Sequence, residues 1–597
     1  MKLSKIYSNK NEVFEDIIFN EGFNVIFAEV KKPKDKKKDS HNLGKTLLIS
    51  LIEFLLLKQL DKSHFLRRHF SIFKDFEFYL EIKLLSGKYL TIKRGVTADT
   101  KVSFKEHDES KQDFRKLNKN DWTNSDIPIK KAVKILNTYL DLEAISPWEY
   151  RKGVSYFLRD QNDYRDVFQI EKFEHNNHKY WKPYLAKLLG FDDKIIGAKY
   201  ELDDQIENRK KYKEGYEKSI PVKSEEYDKL KGAIEIKKRE VEEISKEIDL
   251  FNFYEKELEL NKELLDNVEL EISEKNDARY NIGFELDKIK SSLSKKIDFN
   301  IKEISQIFEE TQIYLPNELK KSYEDLVQFN KSLFEERKEY LKKRQGELES
   351  ELEIIDKSLR SLNLRRAKIL EVLRGEETFR KFKSLQRELI LTSSNVVKME
   401  AELETLNTVS VIQKEIDSLE EDKNKLVKKI NEEIKNGNEL YSEIRNSFSS
   451  IIKEVLNAFA NLYIESNKEG NPEFKADIFK DEKGVEITSA EKGTTYKKIL
   501  CAAFDLAILK VYSKKKFFKF VYHDGILEGL DNRKKLSLLD LVKTFCVEYG
   551  IQYILTAIDS DLPRDDDERK VNFSEKEIIK NLSDEGSNGR LFKMDKF

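Results

Sequence analysis

The chain has 597 residues, 37% of them charged against a typical ~25%, and it carries 8 Pro and 21 Gly where average usage gives about 30 and 42. So few helix breakers exclude a string of ordinary compact domains and call for very long helices, yet 37 Phe and 25 Tyr require a globular core as well. Lys plus Arg total 110 against 112 Asp plus Glu, and the net charge of −2 favours neither nucleic acid nor a membrane surface as partner.

Cys501 and Cys546 each sit in an apolar stretch with no second cysteine or histidine at metal-ligand spacing, which reads as two buried thiols in a reducing compartment. The first residues lack the apolar core of a signal peptide, and no run of ~18 apolar residues occurs. A soluble, cytoplasmic chain without membrane contact is expected.

In chain order, the first part, residues 1–199, reads as mixed α/β. FNVIFA, residues 23–28, has the continuous apolar character of a buried strand; 43–57 reads as an apolar helix; 76–83 and 89–93 read as a hairpin turning at Ser86 and Gly87. The polar stretch 108–125 reads as a loop.

From 200 to 459 the composition turns to Glu and Lys with apolar residues on a heptad. Leu230, Ile234, Val241, Ile244, Ile248, Phe251, Leu258 and Leu265 form one stripe, and Leu341, Leu348, Leu352, Ile355, Leu359, Leu362, Ile369 and Leu373 another. Pro316 and Asn317 break the pattern between them, so the chain is expected to reverse near 296–325 and form an antiparallel coiled-coil hairpin with arms on the order of 150 Å long. Gly375 and the run Thr392–Asn395 interrupt the returning arm, marking an elbow or a separate small bundle. The absence of a C-x-x-C near the turn argues against a zinc-binding tip.

The globular pattern resumes over 460–597. Strands are expected at 474–479, 485–487, 517–522 and 552–556, with helices at 496–512 and 534–549. Two α/β halves are thus separated by helical sequence, and joining them as one sheet buries the open edges of both.

The strand FNVIFA is followed, after a lysine-rich insertion, by DSHNLGKTLLIS. A phosphate-binding loop needs backbone N–H groups at a helix N-terminus, a lysine for the β/γ-phosphates and a hydroxyl for Mg2+; Gly44, Lys45 and Thr46 supply these in order. Asp39 stands where the full pattern has its first glycine. In the second half the apolar strand FKFVYHDG ends in Asp524, the placement of a carboxylate that holds magnesium, and Leu530 and Asp531 follow.

This order of elements resembles the ABC-type ATPases of the structural-maintenance-of-chromosomes (SMC) and RecF/RecN kind, in which two half-domains flank a coiled-coil hairpin. HDGILEGLD, from His523 to Asp531, is similar to their Walker B and following segment, with Gly525 where the catalytic Glu stands. EKGTTYKKILCAAFDLAIL, from Glu491, is similar to their signature region, with Gly493, Thr494 and Thr495 at its core. Gln161, in SYFLRDQNDYRDVF, is placed like their Q-loop glutamine. More narrowly, NLGKT, FLRDQNDYRDVF and HDGILEGLD resemble the ATPase subunit of bacterial ABC-three-component and Lamassu-type antiphage systems.

The resemblance implies an ABC-ATPase head assembled from both chain ends, with ATP and Mg2+ as cofactors. Asn42, Gly44, Lys45, Thr46, Gly493, Thr494 and Asp531 would bind the nucleotide, and Thr46, Gln161 and Asp524 the metal. With Gly525 unable to polarise water and Ala557 where related enzymes often carry a histidine, it implies a slow ATPase in which Asp524, assisted by His523 or Glu528, serves hydrolysis. It further implies a homodimer engaged through its heads, double-stranded DNA as ligand, and a nuclease-like effector with a small accessory subunit as partners. The basic runs Lys31–Lys38 and Lys514–Lys516 are either solvated loops or phosphate contacts. Chromosome repair, and a coiled-coil scaffold without turnover, are the alternative readings.

Overall fold

The computed structural model describes residues 1–29, 43–169, 178–218, 226–250, 262–294, 317–370, 377–480, 494–564 and 570–597. The chain divides into two compact units, one built mainly of Met1–Glu201 and Asn424–Phe597, the other of Leu202–Asn300 and Tyr323–Lys423.

In chain order the strands of the first unit are β1 (Lys2–Ser8), β2 (Ile17–Ile18), β3 (Phe23–Glu29), β4 (Glu77–Lys83), β5 (Tyr89–Gly95), β6 (Lys101–His107), β7 (Asn124–Pro128), β8 (Leu158–Arg159), β9 (Phe459–Ser466), β10 (Pro472–Phe479), β11 (Phe520–His523), β12 (Gln552–Ile558) and β13 (Ile578–Ser583). An antiparallel sheet runs β2-β1-β4-β5-β6-β7. A parallel sheet runs β13-β3-β12-β11-β8. The parallel sheet takes β3 and β8 from the N-terminal part and the other three strands from the C-terminal part, so the two ends of the chain share one sheet. Helix Asn532–Glu548 packs on β3 and β12, and helix Thr494–Val511 on β11. Val25, Ile26 and Ala28 on β3, and Phe520, Val521 and Tyr522 on β11, are completely buried. Unbroken apolar runs are what a parallel sheet covered on both faces selects.

Helix Lys45–Leu55 lies against β4 and β5. Its C-terminal end is tied down by Arg94 of β5, whose buried guanidinium donates to the carbonyls of Phe54, Lys58 and Asp99 at 2.5, 2.5 and 2.8 Å. Tyr150 donates to Leu56 O at 2.9 Å. A helix's last carbonyls have no intrahelical donors, and a cation there also complements the helix dipole.

The strand expected at 474–479 is β10, but it pairs with β9, which precedes it, while 485–487 lies outside the described residues. The second domain boundary also moves, from 460 to 424. Helix Glu439–Leu456 belongs to the core because Ile444, Phe448, Ile451, Ile452 and Val455 bury one face against helices Thr494–Val511 and Asn532–Glu548. Gly437, at φ +63°, ends the preceding helix, and the Asn438 side chain accepts from Tyr441 N at 2.7 Å to start this one.

The second unit departs from a simple two-armed hairpin. Beyond the end of helix Asp193–Glu217, its helices among the described residues are, in order, Tyr227–Asp249, Lys262–Ser294, Asn317–Leu370 and Glu377–Asn436. Arg279 pairs with Asp356 and Arg366 with Glu269, each at 2.6 Å, so the second and third helices are antiparallel. Glu269 also accepts from Gln386 at 2.9 Å, and Tyr280 donates to Ser394 O at 2.8 Å, so the second and fourth run parallel. Lys238–Glu400, with Leu230, Ile234, Val396 and Leu406 in one buried cluster, sets the first helix antiparallel to the fourth, and Arg209–Glu415 lays the end of the preceding helix Asp193–Glu217 along the fourth as well. The expected long arm is therefore folded into an up-down-up-down bundle, the alternative that Gly375 had left open. The second, third and fourth helices each meet the other two, which covers more of their apolar stripes than one antiparallel neighbour would. The reversal expected at 296–325 falls mostly outside the described residues.

Candidate functional site

The site forms at the carboxyl ends of β3, β12 and β11, where an open parallel sheet exposes a crevice to ligands. Gly44 opens helix Lys45–Leu55 at φ +101°, a conformation suited to glycine; a Cβ there would also stand 2.7 Å from that of Leu591. The next two residues then reach the end of β11. Thr46 Oγ1 donates to Asp524 Oδ2 at 2.8 Å. Asp524 is completely buried, its other oxygen accepting from the Thr556 hydroxyl, while Thr556 Oγ1 accepts from Gly525 N at 2.9 Å.

Lys45 is 6% exposed. Burial pulls its ammonium below the ordinary value, opposed by the charges of Asp524, Asp561 and Glu528. Burial pushes the Asp524 carboxyl up, opposed by the Thr556 and Thr46 hydroxyls and by Lys45. Both groups are poorly solvated charges, a state that a phosphate oxygen and a cation would relieve. Asp524 and Thr46 offer hard oxygen donors, and Mg2+ takes one or two carboxylates plus substrate phosphates, so the residues fit that ion.

Gln161 lies beside Gly525. A Cβ at Gly525 would meet Gln161 Nε2 at 3.1 Å, and the backbone there is left-handed, φ +67°. The glycine at the position of the expected glutamate is thus accommodated by the local backbone and by the packed glutamine.

His523 takes a different role from the one expected. It is completely buried, its Nδ1 2.7 Å from Tyr553 Oη and its Nε2 3.0 Å from Asp505 Oδ2. With both ring nitrogens committed inside the core and burial pushing its pKa down, it has none left to meet a substrate. Asp505 also holds Arg159 through two hydrogen bonds of 2.6 and 2.9 Å, and that guanidinium donates to the carbonyls of Asp163 and Val167 at 2.9 and 2.8 Å. The loop carrying Gln161 is wound around this buried cation.

Glu528 is half exposed and pairs with Lys498 Nζ at 3.0 Å; the same ammonium donates to Gly525 O at 3.0 Å. Asp531 caps helix Asn532–Glu548, accepting from Lys534 N at 3.1 Å and pairing with Lys534 Nζ at 2.8 Å. Asn42, Gly493 and Lys31–Lys38 lie outside the described residues, as does the Thr494 side chain. Lys516 pairs with Asp141 at 2.7 Å and with Glu143 at 3.6 Å, and is thereby partly neutralised.

Sequence reasoning missed Thr556, Asp561, Lys498 and the Arg159–Asp505 pair. Thr556 carried a usable signal, standing near the end of an apolar strand as Asp524 stands at the end of another; Asp561, beyond that strand in a short turn, carried none. Cys501 and Cys546 are buried, each thiol pushed up to about 12 by burial. No helix among the described residues is long and apolar enough to cross a membrane.

Residues 451–596 match a family model described as an uncharacterised protein conserved in bacteria, DUF2326. Across almost its whole length the chain is similar to the uncharacterized protein YydD of Bacillus subtilis (strain 168), with 22% identity over 593 residues, covering 94% of this chain and 93% of the relative. Among solved structures it is similar to an Smc head domain with a coiled coil and joint from Pyrococcus yayanosii, at 16% identity and TM-score 0.35, covering 96% of this chain and 98% of the other. It is also similar to the recombination mediator protein RecF with ATPrS, at 11% identity and TM-score 0.26, covering 94% of each chain.

Proposed function

We propose that this chain is an SMC-like ABC-type ATPase that binds ATP with Mg2+ at the carboxyl ends of β3 and β11. The observation that carries the reading is the contact of Thr46 with Asp524, beside the buried ammonium of Lys45. Backbone N–H groups at the start of helix Lys45–Leu55 bind phosphate oxygens, and Lys45 neutralises the β/γ-phosphates. Thr46 and Asp524 hold the magnesium ion, with Gln161 beside them; the bound ion supplies charge neutralisation on the phosphates. Titration of a fluorescent ATP analogue in the presence of Mg2+ tests this. Wild type binds, and Lys45→Ala and Asp524→Ala lose most of the affinity; equal binding by all three refutes the assignment.

The motif resemblance supports a finer reading. Two copies engage through their heads, with ATP between Lys45 of one and Gly493 of the other, bind double-stranded DNA, and control a nuclease-like effector with a small accessory subunit in antiphage defence. Genes for such proteins beside this one favour defence over chromosome repair. Gly525 favours a second reading, a scaffold that binds nucleotide without turnover; ATP hydrolysis, measured with and without DNA, separates the two.

A further inference from the structure

We infer that Asp561 is the general base that activates water for hydrolysis at this site, in the role that position 525 cannot fill. The inference rests on the ATP-binding reading above and adds the reacting residue to it.

Strand order places Asp561. In β13-β3-β12-β11-β8, strand β12 lies between the strand leading to Lys45 and the strand ending in Asp524. Its last residue, Ile558, pairs with Ala28, near the end of β3, and its Thr556 hydroxyl holds Asp524. Asp561 follows in the short 3-10 turn Asp559–Asp561, with one oxygen 3.4 Å from Ile558 N. Asp561 is also close enough to Lys45 for each charge to act on the other, which puts it beside the lysine that would meet the terminal phosphate of a bound nucleoside triphosphate.

The neighbouring acids are less suited. Asp559 is half-buried and spends its charge on Lys570 at 2.6 Å. Glu528 is half exposed and spends its charge on Lys498. Asp524 is held by two hydroxyls and is needed for the cation. His523 has both nitrogens engaged in the core. Asp561 is 7% exposed, and Lys535, Lys45 and Glu528 are the charged groups that face it. Burial raises its pKa, which makes its carboxylate a stronger proton acceptor than a solvated aspartate.

The step balances without further reactants. The Asp561 carboxylate takes one proton from a water whose oxygen bonds to the terminal phosphorus. The bond from that phosphorus to the bridging oxygen breaks, and its electron pair leaves with the nucleoside diphosphate. Inorganic phosphate is released, and the proton on Asp561 passes to solvent.

The test measures two quantities on the full chain: affinity for a fluorescent ATP analogue with Mg2+, and phosphate release from ATP. Asp561→Asn is expected to lower release by roughly 100-fold or more, the usual contribution of a general base, with nucleotide affinity within a few-fold of wild type. A thermal melt of the variant checks that it is folded, and Asp561→Ser serves as a second variant should the first not fold. Release at the wild-type rate by either folded variant overturns the inference. So does a wild type that binds nucleotide but releases no phosphate, or a loss of release in Glu528→Gln with Asp561→Asn unaffected; the last points to Glu528 instead. Failure of wild type to bind any nucleotide overturns the ATP-binding reading itself, and the inference with it.

Discussion

Thr46 and Asp524 stand 478 positions apart in sequence and are joined by a hydrogen bond of 2.8 Å. A hydroxyl and a carboxylate brought together from opposite ends of a chain would supply two of the oxygen ligands that an Mg2+ ion takes. Thr46→Ala is expected to weaken Mg2+-dependent ATP-analogue binding by roughly 10-fold, about 1.4 kcal/mol, with a smaller effect on binding measured without the metal. An equal loss in both conditions would assign Thr46 to packing.

Asp524 also makes stability depend on pH. Its folded pKa lies above the ordinary 3.8, so between those values the folded state holds a proton that the unfolded state has lost, and stability declines as pH rises through that window. Asp524→Asn has no charge to bury. The nucleotide-free variant is expected to melt above wild type at neutral pH, with the gap closing as pH falls toward 3.8. A gap independent of pH, read by thermal scans across that range, contradicts the account.

Gly525 resists the substitution that the motif invites. A glutamate there must adopt φ +67° and push its Cβ to 3.1 Å from Gln161 Nε2. The backbone conformation alone costs about 1–2 kcal/mol for a residue with a Cβ. Gly525→Glu is expected to lower the melting temperature and to leave ATP turnover no faster than wild type. Faster turnover at unchanged stability would contradict this.

Arg159 and Asp505 are both completely buried, and removing one leaves the other's charge stranded. Asp505→Asn is expected to cost about 3–5 kcal/mol in chemical denaturation, and Arg159→Met with Asp505→Leu together less than the two single changes added. Additive losses would show that the two side chains act separately.

The four-helix arrangement of the second unit has a direct test. Tyr280 donates to Ser394 O while its neighbour Arg279 pairs with Asp356. In a straight hairpin that keeps the second pairing, residue 394 lies nearly forty residues further along, roughly 60 Å away at 1.5 Å per residue. Cysteines placed at 280 and 394 are expected to be joined within one chain by a short bismaleimide, since native Cys501 and Cys546 are buried. Peptide mapping without that link refutes the bundle.

The sequence by itself determined what local chemistry controls. FNVIFA and the strand before Asp524 are largely apolar runs, which a sheet covered on both faces stabilises, and Gly-Lys-Thr after the first marks a helix start that exposes backbone donors. Scarce proline and glycine, with apolar residues at 3- and 4-residue intervals, determined long helices in the middle. Tertiary structure decided what depends on neighbours distant in the chain. The heptads name a buried stripe but not how many partners cover it, so two arms and a bundle read alike until Arg366, Glu269 and Gln386 are seen together. His523 reads as a catalytic candidate in sequence and becomes a core residue once Asp505 and Tyr553 take its nitrogens. Asp561 carries no motif at all; it acquires its place because β12 enters the sheet between β3 and β11, an order set by burial of strand edges from both ends of the chain.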